Sequence, residues 1–301
     1  ECSRQPHIRG TGAKTRELRS APRSVVSSHR SSCEAAVAVS PLSTACACLC
    51  VLGPGLCFCV GGCGNSTETR AIYMRMVDYP AALRPDRVSV IAYGALLSEP
   101  SSRLTFPSLT NFRLVRVRNV RRLFGMTHLF LTGAGVVDVA TRRIAALCVE
   151  PAEGCSFVAA AFDVVLDDAQ REAFCARETG YAIVEAPFHG LDAGEEAPPA
   201  GLGVLCASSS DAELPSGVEP PAGLPHVWGW ARDSGLLPAD VYLRHCLLAM
   251  RKLGGVAERS FLHDTTLVDR RTTLSEYLAG GARERVMAVR PPESMAERFG
   301  G

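Results

Sequence analysis

The sequence predicts an α+β protein with a mixed or mostly antiparallel sheet. Short apolar and β-branched runs, separated by turn residues, fill the first two-thirds of the chain from Arg87 onward. Helical spacing of apolar residues dominates only in the last third, from Pro238. A series of strands followed by a series of helices is typical of folds whose helices gather on one face or at one end of an antiparallel sheet.

Residues 1–73 differ in composition from the rest of the chain. The first 70 residues contain seven arginines and one lysine against four glutamates, and eight of the 13 cysteines. A leader that is rich in Arg and Ser and poor in acids suggests an organellar transit peptide. Because the first methionine is Met74, a disordered segment or a mis-extended gene model is the alternative. We therefore expect an intracellular protein, cytoplasmic or, if the leader is real, in a plastid or mitochondrion.

The apolar run 35–63 in this leader raises two further questions. It is long enough to span a bilayer, but Pro41 and the Gly-Pro-Gly at 53–55 interrupt it, so we do not predict a membrane partner. Its closely spaced cysteines do not match the usual spacing of zinc ligands, so no metal is predicted. The remaining cysteines are predicted to be buried reduced thiols: Cys148, Cys155, Cys175, Cys206 and Cys246.

The predicted domain, 87–301, opens with a buried strand at 88–92 that runs into a turn at Tyr93-Gly94. Residues 111–126 alternate apolar and basic side chains, but the apolar phase changes after Leu114, which indicates a β-bulge. We interpret the arginines of this strand as its solvated face: Arg113, Arg116, Arg118, Arg121 and Arg122. The formal net charge of the chain is +1, so a nucleic-acid partner is not predicted.

Two apolar runs, 129–139 and 142–151, are expected to pair as strands across a hairpin turn at Gly133-Ala134-Gly135. A further strand is predicted at 156–166. The Gly-Ala-Gly sequence lacks the third glycine and the following helix that a phosphate-binding loop requires.

A helix follows, with Asp167 and Gln170 as a capping box and Gly180 as its end. Residues 181–188 then form a strand. The segment 189–225 is rich in Gly, Ala and Pro and predicts a long loop around one short strand, Gly-Val-Leu-Cys-Ala.

The last third predicts two helices. Residues 238–253 have helical apolar spacing and end at Gly254-Gly255. A short extended piece then leads to a helix that begins at Thr273, where Thr273 and Glu276 match a capping box.

Several familiar catalytic motifs are absent, including GxSxG, HExxH and a Walker A loop. His245 and Cys246 are adjacent on a helix and point in different directions, so they do not form a Cys/His pair. Two other features can carry chemistry. The tight turn after Tyr93 exposes successive backbone N–H groups, which bind anions or polarised carbonyls. Glu178 lies at the C-terminal end of its helix, where the helix dipole raises the pKa of a carboxylate.

The turn and this glutamate together resemble the γ-glutamylcyclotransferase-like, or ChaC-type, superfamily. In that family a strand ends in a Tyr-Gly-Ser-hydrophobic loop that binds the γ-glutamyl group through its backbone. A downstream glutamate near a helix end, often followed by Gly-Tyr, is the acid–base residue. The similarity covers residues 88–190 well and the C-terminal helices loosely. It implies a small mixed or antiparallel β-barrel with flanking helices. This chain adds a loop insertion at 189–225 and a helical C-terminal extension, which the smallest members of the family lack.

Carried over residue by residue, the resemblance gives Glu178 the catalytic role. It assigns substrate binding to Tyr93, Gly94, Ala95, Leu96 and Tyr181. Ala95 stands where the family commonly has serine, which removes a hydroxyl but keeps the backbone N–H. The loop also lacks the Tyr-Gly-Ser-Leu-Ile-Trp form of the glutathione-specific branch, which argues against glutathione as the substrate.

The resemblance implies an enzyme of the carbon–nitrogen lyase or acyltransferase type. It would cyclise a small-molecule γ-glutamyl amine or peptide to 5-oxoproline and release the amine, without metal or organic cofactor. Two other functions stay open at this level. One is a non-catalytic binding module on the same fold, suggested by Ala95 and the insertion. The other is an RNA-associated protein that uses the arginines between 113 and 122.

Overall fold

A seven-stranded mixed sheet organises the described part of the chain. The computed structural model describes residues 79–301, so every expectation for the leader 1–73 lies outside the described residues. The strands are β1 (Arg87–Ala92), β2 (Thr110–Thr127), β3 (Arg143–Val165), β4 (Ala182–Phe188), β5 (Gly201–Ala207), β6 (Leu237–Pro238) and β7 (Thr265–Thr266). Their order in the sheet is β4-β5-β1-β3-β2-β7, and β6 pairs with β3.

The long antiparallel pair β2 and β3 forms the centre of the sheet. The two apolar runs 142–151 and 156–166 belong to this single strand β3 rather than to two strands. The β2–β3 register shifts at three places, between Thr110 and Arg113, between Arg118 and Val120, and between Phe124 and Met126. β2 therefore contains bulges, but its pairing is unbroken from Arg113 to Arg118, so none of them lies at the predicted change of apolar phase after Leu114. The three shifts together bend and twist the pair strongly.

This bending curls the sheet into a partly closed barrel. β1 pairs antiparallel with β3 and parallel with β5, and β4 pairs antiparallel with β5. His189, directly after β4, exchanges both backbone hydrogen bonds with Arg116 of β2, at 2.8 and 2.9 Å. The sheet thus meets itself at this point, and the predicted α+β class with a mixed, curled sheet and flanking helices is confirmed.

The short strand inside the predicted insertion 189–225 has a central position in this barrel. It is β5, which connects β4 to β1.

Eight helices flank the sheet in the described residues. They are α1 (Glu99–Arg103), α2 (Leu129–Gly133), α3 (Asp168–Arg177), α4 (Asp240–Lys252), α5 (Gly255–His263), α6 (Leu274–Tyr277), α7 (Arg283–Ala288) and α8 (Ala296–Phe299). The capping boxes predicted at Asp167 and Thr273 are both present, at the starts of α3 and α6. None of these helices is long and apolar enough to cross a membrane.

Aromatic packing fixes α3 against the sheet and so determines where its C-terminal end lies. Phe174 of α3 is fully buried, and its ring lies 5.3 Å from that of Phe106. Phe106 in turn packs 5.7 Å from Phe162 of β3. At the start of the helix, the Arg171 guanidinium donates to the Leu83 carbonyl at 2.8 Å.

One predicted element is wrong. Residues 129–133 form helix α2, not a strand, because the edge of β3 that they would join is already paired with the end of β2. His128 favours the helix locally, since its ring nitrogen accepts from the Leu131 N–H. The short extended piece predicted before Thr273 is present as β7, and a helix that was not predicted, α5, begins directly after Gly254, whose φ is 102°.

Arg122 contradicts the interpretation of the β2 arginines as a solvated face. Its side chain is 0% exposed, and it donates to the Thr265 hydroxyl at 2.8 Å and to the Val158 carbonyl at 3.1 Å. The guanidinium lies between the rings of Phe157 and Phe261, 4.6 and 4.8 Å from their centroids. The bulge between Arg118 and Val120 is the reason, because one extra residue exchanges the inward and outward faces of the strand.

Three other arginines of β2 bind groups of the protein itself. Arg113 pairs with Asp163 and Arg121 with Glu150, both at 3.1 Å. Arg118 donates to three consecutive loop carbonyls at 2.6–2.8 Å, those of Ala193, Gly194 and Glu195. The Arg118 contacts fix the loop after β4 onto the barrel. Because all three side chains bind groups of the protein itself, they give the RNA hypothesis no support.

The cysteines of the described residues are free, as predicted. Cys148, Cys206 and Cys246 are buried, whereas Cys155 and Cys175 are only partly buried.

We expect Arg122→Ala to lower the free energy of unfolding by about 3 kcal/mol or more, because it leaves a cavity and several buried acceptors without a donor. Its neighbour Arg121 pairs with Glu150 at the surface, so Arg121→Ala is the matched control and should cost less than about 1 kcal/mol. Urea denaturation of the two variants measures both values. Equal losses would contradict the assignment of Arg122 to the core.

Candidate active site

The Tyr-Gly turn lies at the end of β1, where the backbone leaves the sheet. Residues Ala95–Leu97 form a 3-10 turn, closed by a hydrogen bond of 3.0 Å from the Leu97 N–H to the Gly94 carbonyl. Tyr93 is buried, and its hydroxyl donates to the Cys206 carbonyl of β5. The ring of Tyr93 also packs edge-on against Phe157, at 6.3 Å. The turn is therefore held on the barrel by Tyr93.

Gly94 is required by the close approach of helix α4. A Cβ atom at this position would collide with the Tyr242 hydroxyl. The space beside Tyr242 therefore leaves no room for a side chain at this position. The Tyr242 hydroxyl is held in place by the Leu147 N–H, from which it accepts, and by the Cys246 sulfur, to which it donates.

Glu178 is the residue at which α3 ends. Its backbone has φ −100° and ψ 27°, and its N–H still bonds to the Phe174 carbonyl at 2.9 Å. Gly180 then adopts a φ of 94° and reverses the chain, and the Tyr181 N–H returns to the Glu178 carbonyl at 3.1 Å. The Glu178 side chain is 15% exposed and points into a cavity.

Cys206 of β5 joins these two features. Its carbonyl accepts from the Tyr93 hydroxyl, and its thiol is hydrogen-bonded to the Glu178 carboxylate. Burial and the nearby carboxylate raise the pKa of the Cys206 thiol well above its ordinary range, so the thiol stays protonated and donates. The sequence gives no local signal for this role, because Cys206 is one of several scattered cysteines.

Two buried tyrosines complete the inner wall. The Tyr181 hydroxyl donates to the Leu147 carbonyl at 2.6 Å, and the Tyr242 hydroxyl accepts from the Leu147 N–H. These hydroxyls bind backbone groups of β3 that an adjacent strand would otherwise bind. Burial raises the pKa of Tyr93, Tyr181 and Tyr242 well above the ordinary value of 10.0, so all three remain neutral donors.

Two arginines adjoin the carboxylate. Nε of Arg177 lies 3.5 Å from Oε1 of Glu178, and its guanidinium donates to the Ser101 carbonyl at 2.9 Å and to the Thr105 hydroxyl at 3.1 Å. Arg298 of α8 lies 4.2 Å over the ring of Phe130. Burial raises the pKa of Glu178 above its ordinary value of 4.5, and the two arginines oppose part of that rise.

All six residues predicted from the sequence line one cavity of ≈ 80 Å³, namely Tyr93, Gly94, Ala95, Leu96, Glu178 and Tyr181. By the space that one water occupies, this volume holds on the order of five waters, which suits a compact head group. The functional candidates that sequence analysis missed line the same cavity: His128, Arg177, Cys206, Tyr242, Arg298 and Phe299. Only Arg177, adjacent to Glu178, had a signal in the sequence.

His245 supports the turn from below. Its Nδ1 accepts from the Gly301 N–H at 3.0 Å, which makes Nε2 the protonated nitrogen that donates to the Ala95 carbonyl at 2.9 Å. Burial lowers the pKa of His245 to about 4, so the ring is neutral. Because Cys246 bonds instead to Tyr242, the expectation that His245 and Cys246 form no catalytic pair is confirmed.

The described residues contain no group of three or more His, Cys, Asp or Glu side chains that could hold a metal ion. The cavity therefore offers one carboxylate of raised pKa, neutral hydroxyl donors, a tight backbone turn and two guanidinium groups. Such a set can accept and return a proton and can bind an anionic or polarised group.

Comparison with known proteins finds structural similarity only. No protein-family model matches the chain, and no curated protein matches it significantly. An uncharacterised human protein is similar with a TM-score of 0.37 and 13% identity, over 69% of this chain and 91% of that one. A γ-glutamyl cyclotransferase is similar with a TM-score of 0.34 and 12% identity, over 69% and 90% of the two chains. Because both TM-scores are below 0.5, the roles of residues here rest on this chain's own geometry.

Gly94→Ala should lower the free energy of unfolding by about 1–3 kcal/mol, because the added methyl overlaps the Tyr242 hydroxyl. Tyr242→Phe removes that hydroxyl, so the double variant should lose less than the sum of the two single variants. A double-mutant cycle in urea measures the difference. Gly133→Ala is the control, because nothing lies within 4 Å of its Cβ position. Simple additivity at Gly94 and Tyr242 would refute the contact.

Proposed function

We propose that the protein is a γ-glutamylcyclotransferase-like enzyme that converts a γ-glutamyl amide to 5-oxoproline and a free amine. One observation carries this proposal. Glu178, a carboxylate of raised pKa, lies in the same small cavity as the backbone turn at Gly94, where no side chain covers the backbone. Cys206 bonds to both features, to Glu178 through its thiol and to Tyr93 of the turn through its carbonyl. A γ-glutamyl head group presents the matching chemistry, with an ammonium, a carboxylate and an amide carbonyl on one short chain.

The reaction needs one group that moves protons. The substrate's α-nitrogen forms a bond to its own γ-carbonyl carbon, and the bond from that carbon to the leaving nitrogen breaks. The α-nitrogen loses two protons between the ammonium and the lactam N–H, and the departing nitrogen gains two when it leaves as an ammonium. Glu178 would carry these protons one at a time, as base and then as acid. Because nucleophile and carbonyl belong to one molecule, holding the substrate in a folded conformation contributes much of the rate.

The turn would stabilise the oxyanion that develops on the γ-carbonyl. The first N–H groups of a helical turn have no acceptor within that turn, and here they belong to Ala95 and Leu96. These backbone donors do not depend on a side chain, so alanine in place of serine at position 95 keeps them. His245 fixes the Ala95 carbonyl at 2.9 Å, which limits movement of the turn when charge develops.

The environment of Glu178 suits the proposed role. Burial favours its neutral form, while Arg177 and Arg298 favour the ionised form. The pKa is therefore raised, but by less than burial alone would raise it. A base must be ionised to take a proton. We therefore expect kcat/KM to fall on acidification through a pKa above the ordinary value of 4.5.

A binding module without turnover is the second candidate, and Ala95 favours it because the family's common hydroxyl is missing from the turn. Stabilisation of the protein by γ-glutamyl compounds without any product would support it.

Glu178→Gln should reduce 5-oxoproline release by about 100-fold or more, because it keeps the shape of the side chain and removes the acid–base group. The assay measures 5-oxoproline from a panel of γ-glutamyl compounds. Glu172→Gln removes the same charge from the exposed face of α3 and should retain activity. Undiminished release by Glu178→Gln, or no release from any compound by the parent protein, would exclude the proposal.

The raised pKa of Glu178 also predicts a pH-dependent stability difference. A carboxyl whose pKa is raised on folding contributes stability below its unfolded pKa, and that contribution is lost as the pH rises through the folded pKa. The amide side chain of the Glu178→Gln variant cannot ionise and does not suffer this loss. The variant should therefore gain stability relative to the parent as the pH rises above the ordinary carboxyl pKa of 4.5. Urea denaturation at pH values on both sides of that pKa tests it, and a constant difference would contradict a raised pKa.

A further inference from the structure

We propose that Arg298 binds a carboxylate on the leaving group of the substrate, so that the site selects γ-glutamyl amino acids or peptides over γ-glutamyl amines. This inference rests on the proposed function and assigns a specificity-determining residue to it. Arg298 is a partly buried arginine between two adjoining cavities, and its Nε is buried without a hydrogen-bond acceptor.

The inner cavity, with Glu178 and the Tyr93 turn, adjoins an outer groove of ≈ 670 Å³. Five residues line both: Leu129, Phe130, Arg177, Thr179 and Arg298. The turn residues line only the inner cavity, whereas Leu104, Thr105 and Val218 line only the groove. A γ-glutamyl head bound at the turn therefore places its amide near Glu178 and extends its leaving group past these shared residues into the groove.

The two guanidinium groups at this junction differ in how they are paired. Arg177 donates to Ser101 and Thr105 and pairs with Glu178, although its Nε, like that of Arg298, makes no hydrogen bond. The Arg298 guanidinium makes no hydrogen bond or ion pair with any described residue, and its Nε is buried without an acceptor. The guanidinium instead makes cation–π contacts with Phe130 and Phe299, 4.2 and 5.7 Å from the centres of their rings. A buried N–H donor without an acceptor is costly, so an anion supplied by the substrate is the missing acceptor.

A carboxylate is the anion that fits this position. A guanidinium presents parallel N–H donors that match the two oxygens of a carboxylate, and an aromatic ring beneath it fixes its plane. The α-carboxylate of the γ-glutamyl head lies on the inner side, near the turn. A carboxylate on the leaving group lies on the side of the groove, where Arg298 and Arg177 stand.

The backbone that carries Arg298 is fixed before any ligand binds. The Ser101 hydroxyl donates to the Arg298 carbonyl at 3.0 Å and also accepts from Arg177 at 3.0 Å. The adjacent Phe299 is 1% exposed, and the Gly301 N–H bonds to His245, which supports the turn. The cation is thus positioned by the same contacts that position the catalytic cavity, which is what selective binding requires.

Binding tests the inference without turnover. Full-length Glu178→Gln protein is titrated calorimetrically with γ-glutamyl-alanine and with γ-glutamyl-ethylamine, which differ by one carboxylate. Adding Arg298→Gln should weaken binding of the alanine compound about tenfold to a hundredfold, the usual effect of losing a charged hydrogen bond, and leave the ethylamine compound unchanged. Arg290→Gln, at an exposed site outside the cavity, should change neither. An equal effect of Arg298→Gln on both compounds, or no effect, overturns the inference.

Turnover separates this inference from the proposed function. With Glu178 intact, Arg298→Gln should raise KM for the alanine compound but not for the ethylamine compound, while any change in kcat that comes from the pKa of Glu178 should be the same for both compounds. If the parent protein releases 5-oxoproline from both compounds but Arg298→Gln raises KM equally for both, the function stands and the inference fails. If nothing is released but the calorimetric difference is found, the carboxylate site stands and the enzymatic proposal fails. Should Arg298→Gln not fold, Arg298→Lys keeps the charge without the planar fork and must weaken only the alanine compound.

Discussion

The double contact made by Cys206 holds the candidate site together. Its carbonyl accepts from the Tyr93 hydroxyl at the end of β1, and its thiol bonds to Glu178 at the end of α3. β5, which carries it, pairs parallel with β1 and antiparallel with β4. Two parts of the chain that lie far apart in sequence thus meet because one strand lies between them. The proposed acid–base role of Glu178 beside the Tyr93 turn depends on this arrangement.

Local signals predicted much of the fold. Capping boxes at Asp167 and Thr273 and the strand within 189–225 were all visible in short windows of sequence. Residues 129–133 could not be predicted in this way, because an apolar run becomes a strand only if an edge is free to pair. The prediction that Arg122 is solvated was wrong for a related reason. A bulge three residues earlier exchanged the faces of the strand, and a charged residue then entered the core.

The candidate site was predictable only where its chemistry conflicts with local preference. Gly94 after a buried strand and a glutamate at a helix C-terminus are both unusual, and both line the cavity. Tyr242, Cys206 and Arg298 are ordinary residues in their own segments. They reach the cavity through the packing of α4, the pairing of β5 and the docking of α8, which are contacts between distant parts of the sequence. Because Arg298 and His245 are both tied to the C-terminal residues, this segment belongs to the site as much as the barrel does.

The pKa of Glu178 tests the central claim most directly, because a surface glutamate and a buried acid–base group differ in it. NMR titration of carboxyl-labelled glutamate, with Glu178→Gln to assign the resonance, measures this pKa in the full chain. We expect the titration midpoint of Glu178 to lie above the ordinary 4.5, and the same resonance to shift when 5-oxoproline binds. A midpoint at or below 4.5, with no response to 5-oxoproline, would contradict the existence of a single site formed by Glu178 and the Tyr93 turn.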